Sequence, residues 1–167
     1  SRLFIYYFSR LVAGTPEEDS GCSITDVMSA VKQYGVCDEQ KWPYITQKFK
    51  IRPPETCCVP AKTHTSSFQY YSVNQNISFL KTALASGFPV LCGIMVYESF
   101  ESEMSIKTGN ISLPNTKQET LLGGHCILLI GYNDVSKVFI FQNSWGPSVG
   151  QSGFFTIPYN YILDPNL

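Results

Sequence analysis

The sequence predicts an α+β fold in which helix and loop come first and strands follow. Two observations lead to this prediction. Residues 24–34 place apolar side chains at intervals of three and four, which is the period of one helix face. Residues 123–132 and 137–146 are two apolar, β-branched and aromatic runs separated by a polar turn, and such a pair is typical of a β-hairpin.

The composition is that of one globular domain. The 167 residues are 44% hydrophobic and 15% charged, with a net charge of −1, which suits a single domain with a sizeable core. The near-neutral charge gives no electrostatic basis for binding nucleic acid or an anionic membrane, and no apolar run is long enough to span a bilayer. We therefore expect neither partner. The segment after Ser1 lacks the features of a signal peptide, so we expect the chain to be part of a longer precursor.

The first half of the chain alternates helix and loop. Residues 1–12 are rich in aromatic side chains without a clean period, and we expect an irregular or short helical segment that packs into the core. A loop at residues 14–21 leads into the predicted helix at 24–34, which Gly35 is placed to close in the left-handed conformation. The chain from residue 42 to residue 60 is polar and interrupted by proline, which favours extended surface structure.

The middle of the chain predicts a strand and a helix. Residues 68–73 favour a short strand. Asn76 can cap a helix that runs from residue 77 to about residue 86, with Gly87 as its stop signal.

The second half is rich in strands. Residues 88–97 form a nearly continuous apolar run, which predicts a strand buried on both faces. Residues 98–121 are polar with scattered glycine and proline, and they predict a long excursion over the surface. The hairpin follows, and residues 153–158 predict a last strand.

The cysteines permit disulfides without proving them. There are six: Cys22, Cys37, Cys57, Cys58, Cys92 and Cys126. Cys92 and Cys126 lie in apolar strand-like runs, where a buried thiol is usual. The other four are more readily bridged or near solvent, and their pairing cannot be deduced from spacing. Cys57 and Cys58 with His64 lack the paired spacing of a zinc site, so we expect no metal and no cofactor.

The hairpin carries the residues with the clearest chemical interpretation. His125 stands at the start of its first strand and Asn143 at the end of its second, and antiparallel pairing brings such ends together. An asparagine oxygen can accept from one imidazole N–H, which fixes the tautomer and leaves the other nitrogen for proton transfer. A histidine at a strand end can also be purely structural. Paired with Asn143, however, it forms half of a nucleophile–base–orienter arrangement.

These blocks resemble those of the papain-like (C1) cysteine peptidases, in particular the compact bacterial and viral members. The blocks that follow the family order are residues 19–21, 34–36, 42–44, 123–132 and 142–146. The resemblance implies a two-lobed fold in which a helical lobe faces an antiparallel β-barrel-like lobe across a cleft. The first lobe would take mainly residues 1–75 and the second mainly residues 76–167 of a single peptidase domain.

The resemblance also implies roles for individual residues. His125 would act as general base and acid, Asn143 would orient it, and Trp145 would cover their contact from water. Gly21 would pair through its backbone with the substrate residue two before the cut, and Gly124 would offer its carbonyl to the substrate. The full set of substrate-binding residues would be Ser20, Gly21, Cys22, Gly124, Cys126 and Trp145.

The nucleophile is the part of the family site that this sequence does not supply. It lies in a C-G-[SA]-C-[WY]-like context roughly 130–150 residues before the histidine. Counting back from His125 passes Ser1 by about 5 to 25 residues, and none of the six cysteines has that context. Cys126 is a poor candidate because neighbours on a strand point to opposite faces. We expect the helix that bears the nucleophile to be absent from this chain.

Three accounts of the missing nucleophile stay open. An upstream segment held as a separate cleaved chain would carry the cysteine, or the same polypeptide would continue upstream. In either case we expect the present chain alone to be inactive toward its peptide or protein substrate. The third account is a catalytically inactive binding or structural protein that keeps the papain-like shell.

Overall fold

The computed structural model describes residues 1–65 and 69–167, apart from the side chain of His64. These residues divide into two compact units, Ser1–Tyr71 and Ser72–Leu167. In its described part the first unit consists of helices and loops, and the second holds an antiparallel sheet with short helices. The predicted α+β class is confirmed. The expected barrel-like closure is wrong, because the four strands form an open sheet in the order β1-β2-β3-β4.

The elements of the described residues are as follows. The α-helices are α1 (Arg2–Ala13), α2 (Ile24–Tyr34), α3 (Glu55–Ala61), α4 (Ile77–Ala85), α5 (Glu103–Thr108) and α6 (Tyr159–Leu163). The strands are β1 (Val90–Tyr97), β2 (Leu121–Asn133), β3 (Val138–Gln142) and β4 (Phe154–Pro158). Single turns of 3₁₀ helix lie at Thr46–Lys48 and Lys62–His64. Across the described ranges, no helix has the length and apolar character that crossing a membrane requires.

Of the two forms expected for the first segment, an irregular stretch or a short helix, the structure has a helix, α1, which packs into the core as expected. The Ser1 hydroxyl caps α1 by accepting from the amide of Phe4, and Gly14 ends the helix at φ +82° in the left-handed region. The buried apolar side chains of α1 are Leu3, Phe4, Tyr7 and Phe8. These positions form two adjacent pairs one turn apart, which is the spacing of a single helix face. That face packs in the core of the first unit together with Ala30 of α2.

The predicted second helix is confirmed at Ile24–Tyr34. A capping box starts it: the Ser23 hydroxyl accepts from the amide of Asp26, and the Asp26 carboxylate accepts from the amide of Ser23. Gly35 ends it with φ 76° and ψ −155°, which is not the predicted left-handed helical conformation. A β-carbon at Gly35 would overlap the carbonyl oxygen of Ala61, so the close approach of α3 also requires glycine here.

The expectation of extended surface chain for residues 42–60 is wrong for the second half of that range. It contains most of α3, whose Cys57 and Cys58 are buried. Pro54 stands at the N-cap of α3 with an extended backbone. A proline at the start of a helix removes an amide that would lack a partner anyway, so Pro54 precedes the helix instead of excluding one, while Pro60 lies inside α3 near its end.

The strand predicted at residues 68–73 falls partly outside the described residues, because Phe68 is not among them. Residues 69–73 are described and form no strand. The next prediction is confirmed: α4 begins after Asn76, whose side chain accepts from the amide of Ser78. Gly87 follows the helix at φ +83°.

The predicted hairpin is confirmed as β2 and β3, which pair from Leu128 opposite Gln142 to Asn133 opposite Val138. His125, however, is not at the start of its strand. β2 begins four residues earlier, at Leu121, because β1 supplies hydrogen-bonding partners there. The histidine is therefore held inside a strand rather than at its free end.

The strand predicted at residues 88–97 is confirmed as β1, but it is buried on one face only. Ile94 and Val96 point into the core, whereas Leu91 is 38% exposed. The last strand, β4, is also present and pairs with β3.

The segment at residues 98–121 is more than a surface excursion. It contains α5, and two of its apolar side chains, Phe100 and Ile111, are buried in the core of the second unit. The amide of Ile111 donates to the carbonyl oxygen of Thr156 on β4 at 2.8 Å. The two buried side chains and the hydrogen bond to β4 thus hold this segment against the second unit.

Candidate active site

The side chains of His125 and Asn143 are in direct contact, with 2.9 Å between His125 Nε2 and Asn143 Oδ1. The same Oδ1 accepts a hydrogen bond from the amide of Ser144 at 2.8 Å. Because a backbone amide can only donate, it requires the oxygen of the carboxamide at this position. The oxygen can only accept, so Nε2 of the imidazole carries a proton. In the neutral ring, Nδ1 is then the nitrogen with a free electron pair for accepting a proton.

Sheet geometry brings the two residues together. Asn143 follows the last residue of β3, and its amide donates to the carbonyl oxygen of Gly153 at 3.0 Å. Since Leu128 is opposite Gln142, His125 lies beyond the end of the β2–β3 ladder, diagonal to Asn143. The contact therefore depends on the register of two strands, and register is strongly specified when one face of a sheet is buried.

The contact is shielded from water. Asn143 is 7% exposed and His125 is half-buried. The Nδ2 group of Asn143 is buried and has no hydrogen-bond partner among the described residues. An unsatisfied buried donor has a free-energy cost of about 1–3 kcal/mol. The orientation that presents the carboxamide oxygen to the imidazole therefore leaves Nδ2 unsatisfied and includes this free-energy cost.

Aromatic rings form a wall around the imidazole. The Trp145 ring stacks on His125 with 5.6 Å between centroids and 27° between planes. Phe100 approaches His125 edge-on with 6.1 Å between ring centroids and Trp145 edge-on with 5.8 Å, and Phe155 contacts Trp145 edge-on with 6.0 Å. The family resemblance implied that Trp145 lies at this contact, whereas Phe100 was not predicted. The sequence shows Phe100 only as an aromatic side chain in a polar segment.

Gly124 and Cys126 flank His125 on β2. Across the β1–β2 ladder His125 is opposite Ile94, while Cys126 is opposite Gly93. Alternation along the strand therefore turns the Cys126 side chain to the face opposite that of His125. Both neighbours are exposed, so the expectation of a buried thiol at Cys126 is wrong. The apolar core packs against the opposite face of the sheet, to which the His125 side chain points.

The other predicted substrate-binding residues, Ser20, Gly21 and Cys22, lie in the first unit. All three are exposed in the loop before α2. Gly21 has φ +69°, a backbone conformation that favours glycine. The Ser20 hydroxyl lies 2.8 Å from that of Thr15.

Four of the six thiols have a raised pKa. Partial desolvation of its sulfur raises the pKa of Cys22, although the residue as a whole is exposed, and burial raises the pKa of Cys58 and, to about 11, that of Cys37 and Cys92. A nucleophilic cysteine instead needs a lowered pKa, because the thiolate is the reactive form. Cys37, Cys57 and Cys58 are also buried. Within residues 1–65 and 69–167, no group of three His, Cys, Asp or Glu side chains could hold a metal ion.

Comparison with known proteins identifies similar sequences and structures. The family model described as papain family cysteine protease matches residues 10–162. A peptidase C1-like protein of Acanthamoeba polyphaga mimivirus is 39% identical over 175 residues, which cover 100% of this chain and 56% of the relative. A silicatein of Petrosia ficiformis is 29% identical over 150 residues, covering 86% of this chain and 42% of the relative.

The fold has solved counterparts. Xylellain, a cysteine protease from Xylella fastidiosa, is similar with a TM-score of 0.92 and 37% identity, covering 100% of this chain and 66% of that one. Procathepsin L 3 of Tenebrio molitor has a TM-score of 0.68 at 20% identity, covering 98% of this chain and 52% of that one. The chain thus spans about half the length of the viral and sponge relatives, 56% and 42%. The chain belongs to the papain family of cysteine proteases.

Proposed function

We propose that the protein is a peptidase that hydrolyses peptide bonds by attack of a cysteine thiolate. In this proposal, His125 is the general base and acid, and Asn143 orients it. The observation that carries the proposal is the 2.9 Å contact from His125 Nε2 to Asn143 Oδ1, with the carboxamide oriented by the amide of Ser144. A structural histidine needs neither a fixed tautomer nor a free Nδ1.

The chemistry follows from the free nitrogen. Nδ1 accepts the proton of a cysteine thiol, and the resulting imidazolium and thiolate stabilise each other. The thiolate attacks the carbonyl carbon of the peptide, and Nδ1–H protonates the leaving amine. Water then hydrolyses the thioester with the imidazole again acting as base. Asn143 keeps the ring in one orientation throughout, since its oxygen accepts from Nε2–H in both protonation states.

We propose that the nucleophilic cysteine belongs to a part of the protein upstream of Ser1 in this numbering. The family spacing of roughly 130–150 residues supports this, as does the raised pKa of four of the present thiols. On this proposal the chain by itself does not hydrolyse peptides. Whether the upstream part is continuous or a separate cleaved chain is one outcome of the experiment below.

We further propose which residues contact the substrate. In the second unit these are Gly124 through its carbonyl, Cys126 beside the histidine, and Trp145. In the first unit they are Ser20, Gly21 and Cys22, with the Gly21 backbone pairing with the residue two before the cut. The exposure of Ser20 to Cys22 and of Gly124 and Cys126 supports this assignment.

The test uses the full-length protein and an epoxide inhibitor that alkylates the cysteine of thiol peptidases. We expect one covalent adduct, which peptide mapping assigns to a cysteine upstream of Ser1, together with loss of peptide hydrolysis. The isolated 167-residue chain is the matched control and should remain unlabelled. Mass spectrometry before and after reduction then reports whether one chain or two carry the site.

Failure of the full-length protein to be labelled or to hydrolyse peptides at any pH between about 4 and 8 would contradict the proposal. That outcome would favour a catalytically inactive binding or structural protein. Labelling of a cysteine within residues 1–167 would contradict the upstream assignment alone.

A further inference from the structure

Arg10 is the one charged side chain in the described residues that is fully buried. Its Nη1 donates to the carbonyl oxygens of Pro16 at 2.7 Å and Glu18 at 2.6 Å, and its Nη2 donates to the carbonyl oxygen of Phe49. In the part of the chain that the structure describes, no carboxylate forms an ion pair with it.

Full burial of a guanidinium lowers the stability of the folded protein unless favourable interactions offset the cost. Removing a charge from water without an opposite charge nearby has a large desolvation cost. Here backbone carbonyl dipoles and two aromatic faces stand in for the counter-ion: the guanidinium carbon lies 4.1 Å from the centroid of Tyr6 and 5.1 Å from that of Phe49. An apolar side chain would fill this space at lower cost, but it could not hold three carbonyls.

Tyr6 lies one helical turn before Arg10 and acts on the same stretch of chain. Its hydroxyl donates to Oδ1 of Asp19 and accepts from the amide of Gly21 at 3.2 Å. Burial and the hydrogen bond to Asp19 raise the pKa of the Tyr6 phenol from its usual 10.0. The phenol therefore keeps its proton, and the donation to Asp19, at any pH near neutrality.

The stretch from Gly14 to Gly21 has little else to define its conformation. Residues 17–23 are exposed, so no core packing orders them. Nothing lies within 4 Å of a β-carbon placed at Gly21. Apart from a few short-range hydrogen bonds of its own, this loop takes its shape from the two α1 side chains, Arg10 and Tyr6.

We propose that Arg10 and Tyr6 are positioning residues for substrate binding: they hold the loop at residues 14–21 so that the Gly21 backbone is presented to a peptide in one conformation. The inference rests on the proposed function, in which Gly21 pairs with the substrate residue two before the cut. Neither side chain touches the reacting atoms. Their effect is to order the loop at residues 14–21 before the substrate arrives, which lowers the entropic cost of binding.

The test measures hydrolysis by the full-length protein and its Arg10→Lys and Tyr6→Phe variants. Lysine keeps the charge but has a single nitrogen for three carbonyls, and phenylalanine keeps the ring beside Arg10 but loses both hydrogen bonds. For a peptide with several residues before the cut, we expect KM to rise about 10-fold in Arg10→Lys and about 3-fold in Tyr6→Phe. Because the reacting groups are untouched, kcat per epoxide-titrated site should stay within about 2-fold.

A shortened substrate separates positioning from general destabilisation. A substrate with one residue before the cut does not reach Gly21, so its KM should be the same in both variants and in the unmodified protein. Arg52→Lys and Tyr44→Phe are the matched controls: both residues are exposed in the same unit and have ring or cation contacts elsewhere. Neither should alter KM for either substrate.

The outcomes are distinct. Unchanged KM for the long peptide in both variants, or a fall in KM for Tyr6→Phe because the Gly21 amide becomes free, would overturn the positioning role while the peptidase assignment stands. Equal rises in KM for the long and short substrates would overturn it in favour of a structural role. An unmodified full-length protein without epoxide labelling or hydrolysis would overturn both proposals. If Arg10→Lys does not fold, Tyr6→Phe decides the question alone.

Discussion

The imidazole of His125 is held by a strand and flanked by aromatic rings, whereas the loop that contains Gly21 is held by two side chains of a neighbouring helix. In the first case the register of backbone hydrogen bonds fixes the position, and Asn143 sets only the ring orientation. In the second case, an exposed segment takes its shape from Arg10 and Tyr6. The sheet fixes the position of a group by backbone pairing, whereas an exposed loop needs side chains of a neighbouring helix to hold it in one conformation.

Removal of the His125 imidazole should reduce activity more than any other change considered below. For His125→Ala in the full-length protein, we expect kcat to fall about 10³-fold or more, because the proposed mechanism then lacks the group that takes the thiol proton. The half-buried ring contributes little to the core, so the thermal unfolding midpoint should change little. Peptide hydrolysis and circular dichroism measure the two quantities. Full activity in this variant would contradict the role of His125.

A smaller effect is expected from removing the orienting group. For Asn143→Ala, we expect kcat to fall about 10- to 100-fold, since the imidazole can still transfer protons but is no longer held in one orientation. KM should change less than kcat. Asn110→Ala is the control, because that asparagine accepts a hydrogen bond from Thr156 in the same unit without approaching His125. Equal losses in both variants would show that stability, not orientation, determines the result.

Phe100→Leu tests whether the aromatic wall matters for the site or only for the core. The ring is fully buried, so we expect a loss of about 1–2 kcal/mol in the free energy of unfolding. The ring also packs against His125 and Trp145, so kcat should fall several-fold. Phe139→Leu changes an equally buried ring that packs in a tilted arrangement against Tyr159, with 4.7 Å between ring centroids. It should lose similar stability and keep kcat.

The smallest effect concerns pH and the segment that carries Phe100. Hydrogen bonds from Ser99 and Asn115 lower the pKa of the Glu119 carboxyl from its usual 4.5. Since folding favours the carboxylate, its contribution to stability is complete above pH 4.5 and disappears as the pH falls through the lower value of the folded state. Glu119→Gln should therefore flatten the acid side of a plot of unfolding midpoint against pH. Glu101→Gln, exposed in the same segment, should leave the plot unchanged.

The same difference, between residues fixed by strand pairing and a loop fixed by side chains of another element, explains which features could be predicted from the sequence. The hairpin depends on two apolar, β-branched and aromatic runs around a polar turn, and α2 depends on apolar residues spaced three and four apart. Both were predicted correctly from these local patterns. The contact of His125 with Asn143 follows from hairpin pairing once the two strands are recognised. The family motifs then assign chemistry to that contact.

What the sequence did not predict depends on contacts between distant residues. Phe100 is buried because the chain after β1 folds back over the sheet, and nothing in its polar neighbourhood indicates this. Arg10 would ordinarily be expected on the surface, and its burial depends on the carbonyls of a loop and of Phe49. The α1 helix is a different case: its buried residues do have helical spacing, but Ile5 and Tyr6 between them obscured the pattern.

The shared acceptor at Asn143 has an energetic consequence for the reaction proposed above. One carboxamide oxygen binds both a backbone amide and the imidazole, so the ring is aimed when the chain folds and not when a peptide arrives. The rotational freedom that a mobile histidine would lose in every catalytic cycle is lost once, during folding. If His125 is the general base, as proposed, this preorganisation makes it ready in the resting protein.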